Sequence, residues 1–435
     1  MIRYSKGAVF LVMMALVVGV GASPPVMGKG RIEITPMITV GETYDDNIFL
    51  DKDNEKSDYI TTVSPGIGFN ISSRNNGLNL FYSPTFVKYH EYSGNDTTRH
   101  NARLHLWQEV GESWRLDLSD DYLKSEEAAE TSFADYEERQ GTRHTRYTYQ
   151  RNAADAALTY QFGPRDALTV GYRHELVENR DPSLDDTTEH GPYGSVVYWF
   201  DAHNGMDLRY RFTRTEFERN DGNPAGDDFD GHRVDARYLY RFNPRTTGYI
   251  GYGYTRRNFE KASRENRRVH EGSAGLTHGF SSRTSLTLDV GYYKPDGYGA
   301  GDDTGHVSYG ATLERKFERG TVSLRGTGGW DEDYLGAEQR DYTRYWTVGG
   351  NVDYTVLRNV TAYAGVSYRK NRYLSAVEDG TYRGRGGLKM TFLRWYSLGL
   401  EYAYLNRRSD DPNDEYIDNR IMLTLSASRP FQSVY

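Results

Sequence analysis

The sequence predicts an all-β chain: a transmembrane antiparallel up-and-down β-barrel of about 20 strands, with short periplasmic turns and longer acidic external loops. Three observations carry this expectation. Apolar and polar residues alternate with a period of two through most of the chain. From residue 162 on, short turns recur at intervals of roughly 35 to 42 residues, with two earlier turns at wider spacing, and polar, acid-rich connections lie between them.

The N-terminus reads as an export signal. MIRYSKGAVFLVMMALVVGVGAS holds Arg3 and Lys6, an apolar run from Ala8 to Val20, and small residues before Ser23. A charged start, a short apolar stretch and a small-residue site predict a signal peptide over 1–22, cleaved after Ala22. Residues 23–31 follow as a flexible lead-in, and the barrel is expected over 32–435. The chain has no Cys, so neither a disulfide framework nor a lipidated N-terminus is available, and backbone pairing must hold the fold.

From there one unit repeats: strand, tight turn, strand, longer loop. The turns are RNNG (74–77), VGES (110–113), FGPRD (162–166), FDAHN (200–204), FNPRT (242–246), FSSRT (280–284), FERGT (317–321), LRNV (357–360) and FLRWY (392–396). The loops are 45–58, 126–141, 179–186, 218–228, 294–303 and 409–415. None of these loops is much longer than 126–141, so the lumen is expected to suffer little self-occlusion. Two stretches show the faces. Leu286, Leu288, Val290 and Tyr292 alternate with Ser285, Thr287, Asp289 and Gly291; Met206, Leu208, Tyr210 and Phe212 alternate with Asp207, Arg209 and Arg211. The polar face holds too little bulk to fill a soluble core, whereas the apolar face suits lipid. Phe162, Trp199, Phe200, Phe242, Phe280, Phe317, Trp346, Phe392 and Trp395 gather near the ends of the apolar rows, as interfacial girdles require.

Composition excludes the competing classes. Hydrophobic residues are 37% and mean hydropathy is −0.77, poor for a large packed core. No internal run reaches the roughly 18 apolar residues of a spanning helix. The 37 Tyr argue against disorder. The net charge of −8 gives nucleic acid no footing as a partner.

The opening ITPMITVGETYDDNIFL (34–50) and the closing RIMLTLSASRPF (420–431) resemble the outer-membrane beta-barrel porin family associated with exopolysaccharide synthesis and export loci. Glu42, Tyr44, Asp45, Asp46, Asn47, Ile48 and Phe49 carry the first match. Ile421, Leu423, Leu425 and Phe431 carry the second, and look like a signal for barrel assembly. The resemblance implies an outer-membrane location among lipid and lipopolysaccharide, insertion by barrel-assembly machinery, and periplasmic polysaccharide-export proteins as partners. Read locally, Asp45 to Asn47 favour a turn through side chain to backbone bonds. A divalent cation on these carboxylates is the rival reading, although no EF-hand spacing is present.

No enzyme constellation stands out: the chain has no GxSxG, HExxH or Walker loop, and no cofactor motif. His100, His105, His270 and His278 read as interface or lumen residues. The expected functional surface is the lumen wall. Its basic candidates are Arg115, Arg173, Arg209, Arg211, Arg237, Arg241, Arg325, Arg369, Arg383 and Arg385. Its acidic candidates are Asp117, Glu175, Asp207, Asp235, Asp289, Glu314, Asp353 and Glu401. Cross-strand ion pairs would hold such a wall in register, and uncompensated rings of charge would set selectivity. Three functions stay open at this point: passage of a polymer such as exopolysaccharide, general diffusion of small solutes, and a barrel sheath around a multihaem cytochrome.

Overall fold

The computed structural model describes residues 30–434, leaving out 128, 133–136, 143–145, 219–227, 262–263, 299–303 and 334–340. The expected signal peptide and residues 23–29 of the lead-in therefore lie outside the described residues. The first strands are β1 (Arg31–Asp45), β2 (Asp58–Ser72), β3 (Asn76–Tyr89), β4 (Thr97–Val110) and β5 (Trp114–Ser125). A small separate hairpin follows, β6 (Ala129–Ser132) and β7 (Glu137–Thr142). Then come β8 (Tyr149–Gln161), β9 (Ala167–Asn179), β10 (Asp186–Trp199), β11 (Asn204–Glu218) and β12 (Phe229–Asn243). They continue as β13 (Thr246–Phe259), β14 (Arg267–Ser281), β15 (Thr284–Asp296), β16 (His306–Lys316) and β17 (Gly320–Asp333). The last are β18 (Asp341–Leu357), β19 (Val360–Tyr373), β20 (Glu378–Phe392), β21 (Tyr396–Ser409), β22 (Tyr416–Ser428) and β23 (Phe431–Val434).

Each strand pairs antiparallel with its sequence neighbours, with β5 passing directly to β8. The ring closes where β1 meets β22, from Met37 opposite Ser428 to Asp45 opposite Arg420. β23 continues that seam, with Ile34 opposite Phe431. Setting aside the β6–β7 hairpin and counting β22 with β23 as one, the result is a closed barrel of 20 strands. Every predicted turn falls at one end, and every predicted loop falls at the other.

Register and alternation fix the faces. Ile38 opposite Pro65, Leu288 opposite Leu276 and Leu423 opposite Leu400 all lie on the outer face. Large apolar side chains on this face stay open, from Ile34 at 40% to Val366 at 66%, because lipid rather than protein is meant to cover them. Phe162, Phe200, Phe242, Phe280 and Phe317 form an exposed aromatic row at the turn end. At the other end, tyrosine hydroxyls on the outer face meet imidazole Nδ1 atoms on the next strand: Tyr82–His100 at 2.9 Å, Tyr172–His190 at 2.5 Å, Tyr210–His232 at 2.9 Å and Tyr252–His270 at 2.6 Å. An amphipathic ring thereby buries its body in lipid with its polar tip satisfied.

The inner face changes along the axis. Its side chains near the short turns are open, while those near the loops are buried: Ile60, Val87, Tyr89, Val177, Phe217, Phe229, Phe259, Val269 and Tyr293. Some contacts there reach between parts of the wall that are not neighbours. Glu332 of β17 meets Arg257 of β13 at 3.2 Å. Arg146, from the connection between β5 and β8, donates through Nε to the Ile48 carbonyl at 2.6 Å, beside the end of β1. That connection runs from 126 to 148, and its flanks pack inward. Among the described residues of that connection, Glu126 and Arg146 are buried at the loop end of the barrel.

The turn between β20 and β21 holds Leu393 at φ 47° and Arg394 at φ 66°, two consecutive left-handed residues without a glycine. Such a conformation costs an ordinary side chain about 1–2 kcal/mol, whereas Asn adopts it more readily. Leu393→Asn is expected to raise the unfolding free energy by about 1 kcal/mol in a urea titration of the folded barrel. An unchanged or lowered midpoint would contradict the strain.

Candidate functional site

The predicted lumen residues share one face. Arg209 stands opposite Asp235, Asp207 opposite Arg237, Arg237 opposite Gly251 and Arg325 opposite Gly349. Arg115, Asp117, Arg173, Glu175, Arg211, Arg241, Asp289, Glu314, Asp353, Arg369, Arg383, Arg385 and Glu401 fall in the same parity, opposite the apolar band.

Their ion pairs run mostly along strands rather than across them. Arg115 meets Asp117 at 2.8 Å, Arg173 meets Glu175 at 3.0 Å, Arg209 meets Asp207 at 2.7 Å and Arg233 meets Asp235 at 3.0 Å, each two residues apart. Residues i and i+2 share a strand face, and a long guanidinium leans along the strand to cover that gap. Cross-strand pairing occurs at Arg151–Glu175, 2.5 Å. At these four pairs the expected cross-strand lattice is instead an along-strand one, and it compensates charge locally.

A second wall element links alternate strands. The Tyr193 hydroxyl on β10 donates to Asp155 on β8 at 2.9 Å, passing over Gly171 of β9. Tyr249 on β13 donates to Asp289 on β15 at 2.6 Å over Gly275, and Tyr363 on β19 donates to Glu401 on β21 at 2.5 Å over Gly387. A Cβ on Gly275 would stand 2.2 Å from the Tyr249 ring, so only glycine leaves room for the crossing. Guanidiniums of Arg211, Arg237 and Arg385 lie over these rings at 5.8, 4.7 and 5.8 Å. Arg233, Asp235, Arg237, Tyr249 and Asp289 together line a concavity of about 290 Å³. Inspection of single strands misses this device. Its only sequence signal is a Tyr and an acid 38 to 40 residues apart with a glycine on the strand between.

The family-like opening motif lies at the mouth, on the closure seam. Glu42 accepts from the Thr61 hydroxyl at 2.7 Å, and Tyr44 packs on Tyr59 with ring centroids 5.1 Å apart. The local turn is present: Asn47 N–H donates to Asp45 Oδ1 at 2.9 Å. Yet the same residues also grip the far end of the chain. Asp46 accepts from the backbone N–H and the side-chain amide of Asn419, at 2.7 and 2.8 Å. The Asn47 amide donates to the Ile417 carbonyl at 2.8 Å. Ile48 is fully buried, and Phe49 meets Tyr92 edge-on at 5.6 Å. Ile421, Leu423 and Leu425 stand on the outer face of the closing strand, and Phe431 is exposed in β23. Of the residues after Phe431, 432–434 continue that strand and Tyr435 lies outside the described residues.

Around this seam a charged clasp forms from residues that alternation alone did not single out. Arg420 donates to Asp418 at 2.8 Å and lies 3.2 Å from Asp45. Arg146, its side chain 1% exposed, is 3.5 Å from Asp45 and 3.2 Å from Glu127. Arg99 meets Glu126 and Glu127, both at 2.6 Å, and the Tyr89 hydroxyl donates to Glu126 at 3.0 Å. Burial alone would raise the Glu127 carboxyl, but Arg99, Arg146 and Arg420 outweigh it and hold the group well below the usual carboxylate range.

Among the described residues the histidines form no catalytic set. His100 and His270 belong to the outer tyrosine pairs, His105 lies 3.6 Å from Asp117 on the inner face, and His278 meets the Thr246 hydroxyl at 2.8 Å.

Gly275→Ala and Tyr249→Phe are each expected to destabilise the barrel by about 2 kcal/mol, the worth of one hydrogen bond from a neutral donor to a charged acceptor. Combined, they are expected to cost little more than either alone, since both remove the same crossing; full additivity in a double-mutant cycle would show that it is not a unit. Glu127→Gln is expected to cost roughly 2 kcal/mol at pH 7. An acid with a depressed folded value stabilises above its unfolded value, about 4.3, and loses that contribution as pH falls toward the folded one. The gap between wild type and variant is therefore expected to be constant above about pH 5 and to shrink below pH 4, read from urea midpoints against pH.

Comparison with known proteins places this architecture. The family model described as putative beta-barrel porin 2 matches residues 29–172 and 342–429, more than half of the chain. The two matched stretches hold the opening motif and the closing strand. No curated protein matches the sequence. Among solved structures, the siderophore receptor PirA from Pseudomonas aeruginosa superposes with a TM-score of 0.50 at 8% identity, covering 90% of this chain and 80% of that one. A point mutant of the ferric enterobactin receptor PfeA from Pseudomonas aeruginosa gives 0.52 at 8% identity, covering 91% and 80%. The ferric citrate transporter FecA gives 0.51 at 11% identity, covering 92% and 78%. At such identities the likeness is one of fold.

Proposed function

This chain belongs to the putative beta-barrel porin 2 family, an outer-membrane barrel, and from that premise we propose that it is a channel for a hydrated polymer, exopolysaccharide being the favoured class. The observation that carries this reading is the locally compensated wall. Along-strand pairs such as Arg209–Asp207 and Arg233–Asp235 cancel charge within the lumen, where ion selectivity would need uncompensated rings. What remains is a surface of hydroxyls, guanidiniums, carboxylates and tyrosine rings. Such a surface offers a sugar chain many exchangeable hydrogen bonds and no deep well. The channel does no covalent chemistry.

The inward packing at the loop end supports a passage that works with partners. A 20-stranded barrel has a wide lumen, and a wide permanently open pore would endanger the cell. Arg146 and Glu126 are buried at the loop end, Arg146 bonding the Ile48 carbonyl, so the turn end, periplasmic by the usual rule for such barrels, is the side we take as more open. Periplasmic polysaccharide-export proteins would deliver cargo there.

In planar bilayers the isolated barrel is expected to conduct weakly, and Arg146→Ala, which releases the clasp, to raise single-channel conductance severalfold. A stable large conductance from the unmodified barrel would favour a diffusion porin instead. Deleting the chain while its export partners remain is expected to abolish surface polysaccharide; unchanged secretion would sink the polymer reading.

A further inference from the structure

One carboxylate oxygen at the seam has no partner. Asp418 is 2% exposed on the inner face of β22; its Oδ2 accepts from Arg420, while its Oδ1 has no hydrogen-bond partner. A buried carboxylate oxygen left bare in this way is costly, and the natural remedies are a donor or a cation. No donor reaches it. Instead it faces two more carboxylates: Asp45, Asp46 and Asp418 each offer an oxygen within 4.8 Å of the others. Two oxygens on opposite sides of one calcium ion, each at about 2.4 Å, lie about that far apart.

Charge points the same way. Arg420 is the cation closest to this trio, at 2.8 Å from Asp418 and 3.2 Å from Asp45. Arg146 approaches Asp45 at 3.5 Å but is shared with Glu127 at 3.2 Å. Asp46 is held by the neutral donors of Asn419, and among the described residues no cation pairs with it. Arg420 is likewise shared with Glu127, at 3.3 Å, so the three carboxylates have only parts of two guanidiniums. Asp45 Oδ1 and both Asp46 oxygens accept one hydrogen bond each, and a carboxylate oxygen has two lone pairs.

We propose that Asp45, Asp46 and Asp418 bind one calcium ion at the loop end of the closure seam. The ion joins Asp45 at the end of β1 and the next residue, Asp46, to β22, and through Arg420 it stiffens the clasp on Glu127. Calcium is favoured over magnesium, because magnesium dehydrates reluctantly and the pocket is buried. With three protein carboxylates and the remaining sites left to water, the affinity belongs with extracellular calcium modules, about 10⁻⁴–10⁻³ M. This inference stands apart from the cargo reading, since its test measures binding and not transport.

The test titrates calcium chloride into the full-length barrel in detergent after chelation. Calorimetry is expected to show one ion per chain in the stated range. Thermal unfolding is expected to shift upward with calcium and to return on adding chelator. Asp418→Asn is expected to weaken binding at least tenfold, while Glu112→Gln, in the turn at the opposite end, leaves it unchanged. The rival chemistry is a proton shared between Asp45 and Asp418, which would leave calcium without effect at pH 7. No heat and no thermal shift for the wild type up to about 10 mM calcium, well above the range for such sites, would overturn the proposal whether or not the variant folds.

Discussion

Hydrocarbon supplies no hydrogen bonds, so a strand that crosses a membrane must pair its backbone on both edges. Every other feature of this barrel answers to that demand. It forces the sheet to close on itself, and closure puts the two ends of the chain side by side: β1 carries β2 on one edge, and β22 with β23 on the other. The seam is the one joint in the ring that no short turn or loop holds together. A polar network lies beside it, with Asp45, Asp46 and Asn47 gripping Ile417, Asn419 and Arg420.

Closure also divides the chemistry. The outer face meets lipid, so its apolar side chains need no protein partners, and its polar tips satisfy one another in tyrosine–imidazole pairs. The inner face meets water, so charge is tolerated there, but a wide wall has few neighbours to stiffen it. Tyr193, Tyr249 and Tyr363 answer this by crossing a glycine to a carboxylate two strands away, which ties three strands with one side chain. At the loop end the wall gives way to packed side chains, and there the buried guanidiniums of Arg99 and Arg146 are matched by Glu126 and Glu127.

Much of the barrel was legible in the sequence. The period of two fixed which side chains share a face, so that Arg209, Asp235, Arg237 and Asp289 could all be assigned to one wall. Turn chemistry was equally readable: in FNPRT the Asn243 side chain accepts from Arg245 N–H at 2.9 Å, a purely local bond. The placement of Arg146 was less readable. Arg146 sits in a stretch whose composition resembles the flanking strands, and its partner Ile48 is 98 positions away. The Arg–acid pairs were expected across strands and instead lie mainly along them, because side-chain reach, not parity, selects the partner.

By itself, then, the sequence determined the barrel: alternation, turn spacing and loop polarity are local properties, and pairing neighbour with neighbour needs nothing more than hairpins. The count of about 20 strands was readable too, but closure at 20 is what the structure shows. Only the tertiary structure decided what closure brings together. Asp46 and Asn419 are 373 positions apart and their contact exists only once the ring is shut. The Tyr249–Asp289 bond depends on how far a ring can reach over one glycine in a curved wall. Such contacts are set by distance in space rather than by any period along the chain, and for that reason no local pattern announces them.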